Sequence, residues 1–265
     1  MAFGFHGIIL VWLFQNLLIL ASSELGGTII PLYIYPSGNG DVWQPLINGK
    51  RDHPTVPVWA IINPDSGPSN SRNEEYAIGI QRLTTVGINV MGYVPTTYGS
   101  RPEEAVQSDI NKYREFYGSS ITGIFFDEMD YRPTNTRQKN RRHRRNKKTG
   151  PSYYQSINDY AKSKGIRFTV GNPGTDTLKE YVNTVDTIII YESEGFPPED
   201  RYTGWHKNYT STKWGILPHT VSTLNTAQVR QAKSSVKWIF VTNDIMPNPW
   251  DTLPPYLPEL LQALE

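Results

Sequence analysis

Eight short apolar runs, separated by polar segments, constrain the fold of this chain more than any other feature. Each run is rich in Val, Ile, Phe or Tyr and ends at or beside a polar or turn-forming residue, as buried strands do. We therefore predict eight strands, at residues 28–36, 56–64, 88–96, 121–129, 167–174, 185–192, 213–220 and 236–243.

The segments between these runs carry helix signals. Residues 74–86 place Tyr76, Ile80 and Leu83 at helical spacing, and 101–116 begins with Pro102 and two glutamates, which favour a helix N-terminus. Further helices are predicted at 153–164, 226–234 and 257–264. Strand alternating with helix indicates an α/β protein, and 265 residues fit a single (β/α)8 TIM-type barrel.

A doubly wound open sheet is the alternative α/β architecture. Such sheets often carry a glycine-rich phosphate loop after the first strand, and this chain has no Gly-x-Gly-x-x-Gly motif. We therefore predict one barrel domain over residues 24–265.

The N-terminus looks like an export signal. Residues 8–20 form an apolar run broken only by Gln15 and Asn16, and the small residues Ala21, Ser22 and Ser23 follow. The run is shorter than the roughly 20 residues that span a bilayer. We predict a signal peptide over residues 1–23 and an extracellular or cell-wall protein without stable membrane association after cleavage. An uncleaved anchor is the alternative.

Charge is distributed unevenly along the chain. Residues 137–148 contain eight Lys and Arg and no acid, so the overall charge of +1 becomes −7 when this segment is left out. We predict a basic loop insertion at about 132–150, after the fourth strand. It could be a solvated loop, a multibasic processing site or a contact with a polyanion. The net charge of +1 by itself suggests neither nucleic acid nor a membrane surface, so no nucleic-acid partner is expected.

Acidic residues end two of the predicted strands. Asp127 and Glu128 end the fourth strand and Glu192 ends the sixth, with Glu194 as a nearby rival. In a barrel these ends meet at the C-terminal mouth, and glycosidic cleavage needs a carboxylic acid and a second carboxylate. Neighbouring strand residues face opposite sides, so only one of the adjacent pair should point straight into the barrel. The sequence does not choose the nucleophile.

Other strand ends supply amides and aromatic rings, the groups that bind sugar hydroxyls and pyranose faces. No histidine spacing typical of metal ligands is present, and neither is a Gly-x-Ser-x-Gly elbow. We expect no metal, no cofactor and a monomer that binds a polysaccharide. The predicted substrate-binding residues are Tyr33, Asn63, Tyr93, Asn172, Tyr191 and Asn243.

An ordered set of motifs resembles the spherulation-specific family 4, the spherulin 4-like proteins. The resemblance covers residues 28–264, nearly the whole predicted mature chain. The motifs are IPLYIYP at 30–36, VWAIINP at 58–64, GYV at 92–94, GIFFDE at 123–128, GNPG at 171–174, YE at 191–192, FVTN at 240–243 and NPWDTLP at 248–254.

The resemblance implies a secreted (β/α)8 glycoside hydrolase. Fungal members of the family cleave galactosaminogalactan at linkages of N-acetylgalactosamine or galactosamine, and they resemble endo-α-1,4-galactosaminidases. The family's catalytic acids map onto Asp127, Glu128 and Glu192, and a retaining mechanism is implied. The basic insertion departs from the family pattern, and beside the cleft it would repel a cationic, deacetylated galactosamine polymer.

Two other functions fit the same sequence. One is a non-catalytic wall or matrix protein that uses the cleft only to bind carbohydrate. The other is an anchored surface protein whose basic loop holds an acidic polymer. A pair of facing carboxylates would separate the enzyme from a binder, which does not need one.

Overall fold

The computed structural model describes residues 25–133 and 149–265. The predicted signal peptide and most of the predicted basic insertion lie outside these residues. Within the described ranges, no helix combines the length and the apolar character needed to cross a membrane.

Eight parallel strands form one sheet in the order of the sequence. The sheet closes on itself, because Gly27, just before the first strand, pairs with Trp238 of the last strand and Ile239 N donates to Gly27 O at 2.9 Å. This closure confirms the (β/α)8 TIM-type barrel and excludes an open sheet. The strands are β1 (Thr28–Pro31), β2 (Val58–Ile62), β3 (Asn89–Pro95), β4 (Ile121–Asp127), β5 (Phe168–Gly171), β6 (Thr187–Tyr191), β7 (Trp214–Ile216) and β8 (Trp238–Ile239).

Helices surround the sheet, and their starts follow from local sequence. The side chain of Asn73 accepts a hydrogen bond from Tyr76 N and so caps the helix that begins at Glu74. Asn225 caps the helix that begins at Thr226 in the same way. Apart from a short, kinked helical turn at Ser37–Gly40, the helices are α1 (Gln44–Asp52), α2 (Glu74–Thr85), α3 (Glu103–Tyr117), α4 (Pro151–Ser163), α5 (Asp200–Thr203), α6 (Thr226–Ala232) and α7 (Leu257–Leu264).

The alternation of strand and helix is incomplete on one side of the barrel. After β5 the chain forms only a 3-10 turn at Lys179–Tyr181, and after β6 it forms the four-residue α5 and a second 3-10 turn at Trp205–Asn208. A packed aromatic cluster covers this side of the sheet instead: Trp205 stacks on His206 at 4.2 Å, and both rings meet Trp214 of β7 edge-on. The regular alternation of strand and helix is therefore interrupted at these two connections, where no helix was predicted at particular residues.

The barrel interior is filled by layers of aromatic rings. Near its N-terminal end, Phe168 lies 4.8 Å from Trp59 and 5.2 Å from Trp238, measured between ring centroids. Gly123 of β4 makes room for this layer, since a Cβ there would lie 2.8 Å from the Trp59 ring. One layer higher, Phe125 stacks on Tyr93 at 6.3 Å. The barrel is thus a packed core and not a pore, and its C-terminal mouth is the end at which this fold carries its functional groups.

Gly92 of β3 lies in close contact with helix α3, and this contact yields a stability prediction. A Cβ at Gly92 would lie 2.6 Å from the Tyr113 ring of α3, whose hydroxyl donates to the carbonyls of Ile62 and Tyr93. We expect Gly92→Ala to lower the free energy of unfolding by about 1–3 kcal/mol through overpacking. Urea denaturation followed by fluorescence measures it, and an unchanged midpoint would show that α3 can move away without cost.

Candidate active site

Four side chains meet at the C-terminal ends of β3 to β6. Asp127 accepts hydrogen bonds from Tyr93 Oη at 2.7 Å and from Asn172 Nδ2 at 2.8 Å. The same Asn172 nitrogen donates to Glu192 Oε2 at 2.7 Å. Because one nitrogen holds both acids, the two bound carboxylate oxygens lie within about 5.5 Å of each other.

The alternation of side chains along β4 places Asp127 in this cluster. Gly123 and Phe125 face the interior, as their contacts with the aromatic layers show. Asp127 is the next residue on that face and hydrogen-bonds Tyr93, the ring on which Phe125 stacks. Of the two adjacent acids, Asp127 is therefore the one that points into the barrel.

Glu128 leaves the strand in a different direction. Its φ of 52° lies in the left-handed region, which is unfavourable for a non-glycine residue and persists only where surrounding contacts hold it. Its Oε2 accepts from Thr97 N at 3.1 Å and its carbonyl accepts from Tyr98 N at 2.8 Å. Glu128 thus binds the loop that follows β3, while its charge stays close enough to raise the pKa of Asp127.

Burial sets the protonation of the two acids that face each other. It raises the pKa of Glu192 to about 7, with a further increase from the nearby charge of Asp127. Burial also raises the pKa of Asp127, and hydrogen bonds from Tyr93 and Asn172 act in the opposite direction. A carboxyl whose pKa is near 7 can hold a proton at neutral pH, so the site can present one carboxylic acid next to one carboxylate.

Trp250 completes the surroundings of Glu192 and has no assigned role in the sequence prediction. Its side chain hydrogen-bonds Glu192, its carbonyl accepts from Tyr33 N at 3.2 Å, and its ring meets His219 edge-on at 6.1 Å. It lies after β8, within the NPWDTLP motif at 248–254. The motif could have marked Trp250 as a site residue. Its position in the sequence does not indicate that the indole contacts Glu192, the acid after β6.

Tyr33 belongs to the same cluster through its ring. It packs edge-on against Tyr93 at 5.7 Å between centroids. Its pKa is raised well above the usual value, first by burial and then by the charges of Asp127 and Glu192. The structure therefore brings together Tyr33, Tyr93, Asp127, Asn172 and Glu192 from the predicted set.

The remaining predicted binding residues are placed differently. Asn63 Oδ1 accepts from Gly67 N at 2.9 Å, and Tyr191 Oη donates to the carbonyls of Glu194 and Gly195. Both side chains therefore form hydrogen bonds within the loop that follows their own strand. Asn243 is exposed in the segment after β8. Their roles in substrate binding stay predictions.

Glu194, the rival of Glu192, stands apart from the cluster. It is exposed, forms a backbone bridge with His219 and raises the pKa of that histidine, which burial lowers. The acid that directly ends the apolar run is therefore the one beside Asn172.

Comparisons with known proteins place the fold and the family. The chain is 32% identical to Spherulin-4 of Physarum polycephalum over 211 residues, which is 74% of this chain and 57% of that protein's length. Aspergillus clavatus Sph3, solved in complex with GalNAc, superposes with a TM-score of 0.71 at 21% identity, covering 91% of this chain and 97% of that one.

More distant structures share the barrel with different chemistries. An O-GlcNAc hydrolase of Thermobaculum terrenum gives a TM-score of 0.55 at 12% identity, covering 91% of this chain and 58% of that one. A protein of Coccidioides immitis described as a fructose-1,6-bisphosphate aldolase gives 0.54 at 13% identity, covering 94% and 89%. Likeness at this level indicates the fold and leaves the chemistry to the residues at the mouth.

The match to a family model is what assigns the chain. It extends over residues 27–264, nearly everything that follows the predicted signal peptide, and its description is the one that the ordered motifs suggest. The chain therefore belongs to the spherulation-specific family 4.

Proposed function

We propose that this protein is a glycoside hydrolase that cleaves a polysaccharide by means of Glu192 and Asp127. The observation that carries the proposal is the shared contact with Asn172, which holds two half-buried acids side by side at the mouth. A protein that only binds sugars has no need for two such acids with unequal tendencies to hold a proton.

Glu192 is the general acid in this proposal. Its pKa of about 7 keeps it protonated under acidic to neutral conditions, so it can protonate the leaving glycosidic oxygen. Asp127 is the nucleophile, since Tyr93 and Asn172 both donate to its oxygens and favour the ionised form. Attack of Asp127 on the anomeric carbon breaks the bond to the leaving oxygen, and water later hydrolyses the glycosyl ester.

The short separation of the two acids supports a retaining outcome. Retaining pairs stand about 5–5.5 Å apart, whereas inverting pairs stand about 6.5–9.5 Å apart to admit a water molecule. The bound oxygens of Asp127 and Glu192 fall on the short side of this division.

For the substrate we propose an amino-sugar polysaccharide of the galactosaminogalactan type, cleaved within the chain. The support is indirect: Sph3 of Aspergillus clavatus, which shares the fold, was solved with GalNAc. Within residues 25–133 and 149–265 no second domain lies across the mouth, as cleavage inside a polymer chain requires.

The test is product release from a panel of purified polysaccharides that includes galactosaminogalactan, with and without prior deacetylation. New reducing ends formed from the middle of the polymer would support the proposal. Binding without any release on the whole panel would favour the non-catalytic carbohydrate-binding protein instead.

The pH dependence of kcat/KM offers a separate check. Glu192 must be protonated, so activity should fall as pH rises through about 7, and Asp127 must be ionised, so activity should fall as pH drops through its raised pKa. Tyr93→Phe removes a hydrogen bond that lowers the pKa of Asp127. We expect this variant to move the acidic limb to higher pH and to leave the basic limb in place.

A matched control for Tyr93→Phe lies on the outside of the barrel. The hydroxyl of Tyr160 in α4 donates to Asn111 Oδ1 at 2.9 Å, away from the mouth. Tyr160→Phe should leave both limbs unchanged. An acidic limb that is the same in the wild type and in Tyr93→Phe would contradict the role given to Asp127.

Export to the outside of the cell is part of the proposal and rests on residues 1–23, which lie outside the described ranges. N-terminal sequencing of protein recovered from culture medium would test it. A chain that begins near residue 24 supports cleavage, and an intact Met1 on membrane-bound protein supports the anchor.

A further inference from the structure

The exposed large apolar side chains of this protein are concentrated on one face. Within residues 25–133 and 149–265 they all lie in connections that leave the C-terminal end of a strand; Val42 lies in the 3-10 turn Asp41–Trp43 of the β1–α1 connection, and the others lie in loops. They therefore surround the mouth and not the outer wall of the barrel. These side chains are Tyr35, Val42, Tyr98, Tyr131, Ile245 and Met246.

Tyr98 stands out because its backbone is held in an unfavourable conformation. Thr97, Tyr98 and Gly99 have φ values of 49°, 51° and 70°, so two non-glycine residues in succession occupy the left-handed region. Single residues visit this region, but a run of them without glycine is rare. Such a turn persists only where surrounding contacts stabilise it, and it is typical of functional sites.

The contacts that hold this turn come from the end of β4. Glu128 accepts from Thr97 N through its carboxylate and from Tyr98 N through its carbonyl. On the far side, Arg132 Nη2 donates to the carbonyl of Tyr98 at 3.4 Å. The segment that carries Asp127 into the barrel thus also holds Tyr98 at the rim, with 46% of the residue exposed.

Tyr131 lies on the same segment and is similarly open, at 42% exposure. Its neighbours are fixed on both sides, since Arg132 Nε donates to Asp130 Oδ1 at 2.6 Å and Asp130 N donates to Tyr154 Oη at 2.7 Å. Among the described residues, neither Tyr98 nor Tyr131 packs against another aromatic ring. Tyr35 differs, because its ring lies edge-on against Tyr76 and its hydroxyl accepts from Asn73.

We propose that Tyr98 and Tyr131 form a stacking subsite for a pyranose ring of the polysaccharide, on the β3–β4 side of the mouth. This inference rests on the proposed function, because it places a further sugar of the same chain beside the linkage that Asp127 attacks. The apolar face of a pyranose packs on an exposed aromatic ring, and a rigid ring loses little conformational entropy on binding. Glu128 acts as a positioning residue for this subsite.

The test compares the polymer with a short oligosaccharide. The short substrate occupies only the sugar positions next to Asp127 and Glu192 and does not reach Tyr98. Asparagine tolerates the left-handed region better than other non-glycine residues, so Tyr98→Asn removes the ring and keeps the turn. We expect its KM on galactosaminogalactan to rise about tenfold, equivalent to about 1.4 kcal/mol, with kcat and the kinetics on the short substrate unchanged. Tyr98→Trp should retain the wild-type KM.

Tyr160→Ala is the control for loss of a tyrosine ring, since Tyr160 lies on the outer helix under Lys164. It should not change KM. If the wild type cleaves the polymer and Tyr98→Asn has the same KM as the wild type, the subsite is overturned and the proposed function stands. If the wild type binds the polymer without cleaving it, a weaker Kd for Tyr98→Asn would support the subsite and refute the enzyme. Binding that is unaffected by the loss of Tyr98 would overturn both.

Discussion

Asp127→Asn is expected to lower kcat on the polysaccharide by at least about 10³-fold, because the amide cannot form the covalent intermediate. The substitution conserves shape, so the contacts with Tyr93 and Asn172 can reorganise and the barrel should stay folded. The measurement is kcat from the release of reducing ends, with the unfolding midpoint recorded for the same preparation. A loss of less than about tenfold would remove Asp127 from the role of nucleophile.

The neighbouring acid supplies a matched control. Glu128→Gln removes one negative charge at the next position and keeps an acceptor for Thr97 N. We expect a loss of about tenfold or less, since this side chain faces the loop after β3 and acts through the position and pKa of Asp127. If Glu128→Gln is inactive and Asp127→Asn is not, the two acids have exchanged roles and the strand end must bend further when substrate binds.

Chemical rescue gives a second test of Asp127. In a retaining mechanism, Asp127→Gly opens space next to the anomeric carbon, and azide can attack there in place of the carboxylate. We expect azide to restore product formation as a glycosyl azide of inverted configuration. Failure of azide, together with inverted products from the wild type, would point to an inverting mechanism in which Asp127 is a base.

Glu192→Gln is expected to lower kcat by about 10²–10⁴-fold on the polysaccharide, the usual contribution of a general acid. Glutamine keeps the hydrogen bond with Asn172 but has no proton to give to the leaving oxygen. The variant should also lose the decline in activity above pH about 7, because that limb belongs to Glu192.

Leaving-group dependence separates an acid from a residue that only binds substrate. A glycosyl fluoride or a nitrophenyl glycoside needs little protonation, so Glu192→Gln should keep nearly the wild-type kcat/KM for it, which reports formation of the glycosyl ester, while kcat falls because Glu192 also activates the water of the second step. An equal loss on activated and natural substrates would contradict the role of acid. Glu194→Gln is the control, since Glu194 is exposed and interacts with His219 instead of Asn172.

The charge of Asp127 provides a check on the coupling between the two acids. It raises the pKa of Glu192, so Asp127→Asn should lower that pKa, an effect that carbon NMR of the Glu192 carboxyl can follow. An unchanged titration would mean that the two groups are further apart in solution than their shared contact with Asn172 implies.

The apolar runs were sufficient to predict the barrel, because parallel strands covered by helices must be apolar on both faces. Their ends were predicted less well. The first run was extended to Pro36 and the seventh to Thr220, whereas β1 ends at Pro31 and β7 ends at Ile216. Leu32 and Leu217 are buried one residue beyond the strands and still donate their backbone N–H groups to Ile61 O and Tyr191 O, so the apolar pattern reports burial without reporting where regular strand pairing ends.

The sequence alone determined which acids could reach the mouth, because Asp127, Glu128 and Glu192 end buried runs in a fold whose strand ends converge. The tertiary structure decided the rest: that Asp127 faces inward while Glu128 turns away at a φ of 52°, and that Asn172 joins Asp127 to Glu192. Trp250 reaches Glu192 from 58 positions further along the chain. The physical reason is that the hydrophobic pattern of a strand describes that strand alone. A hydrogen bond shared between strands depends on how far the strands are shifted relative to one another, and closure of the barrel sets that shift.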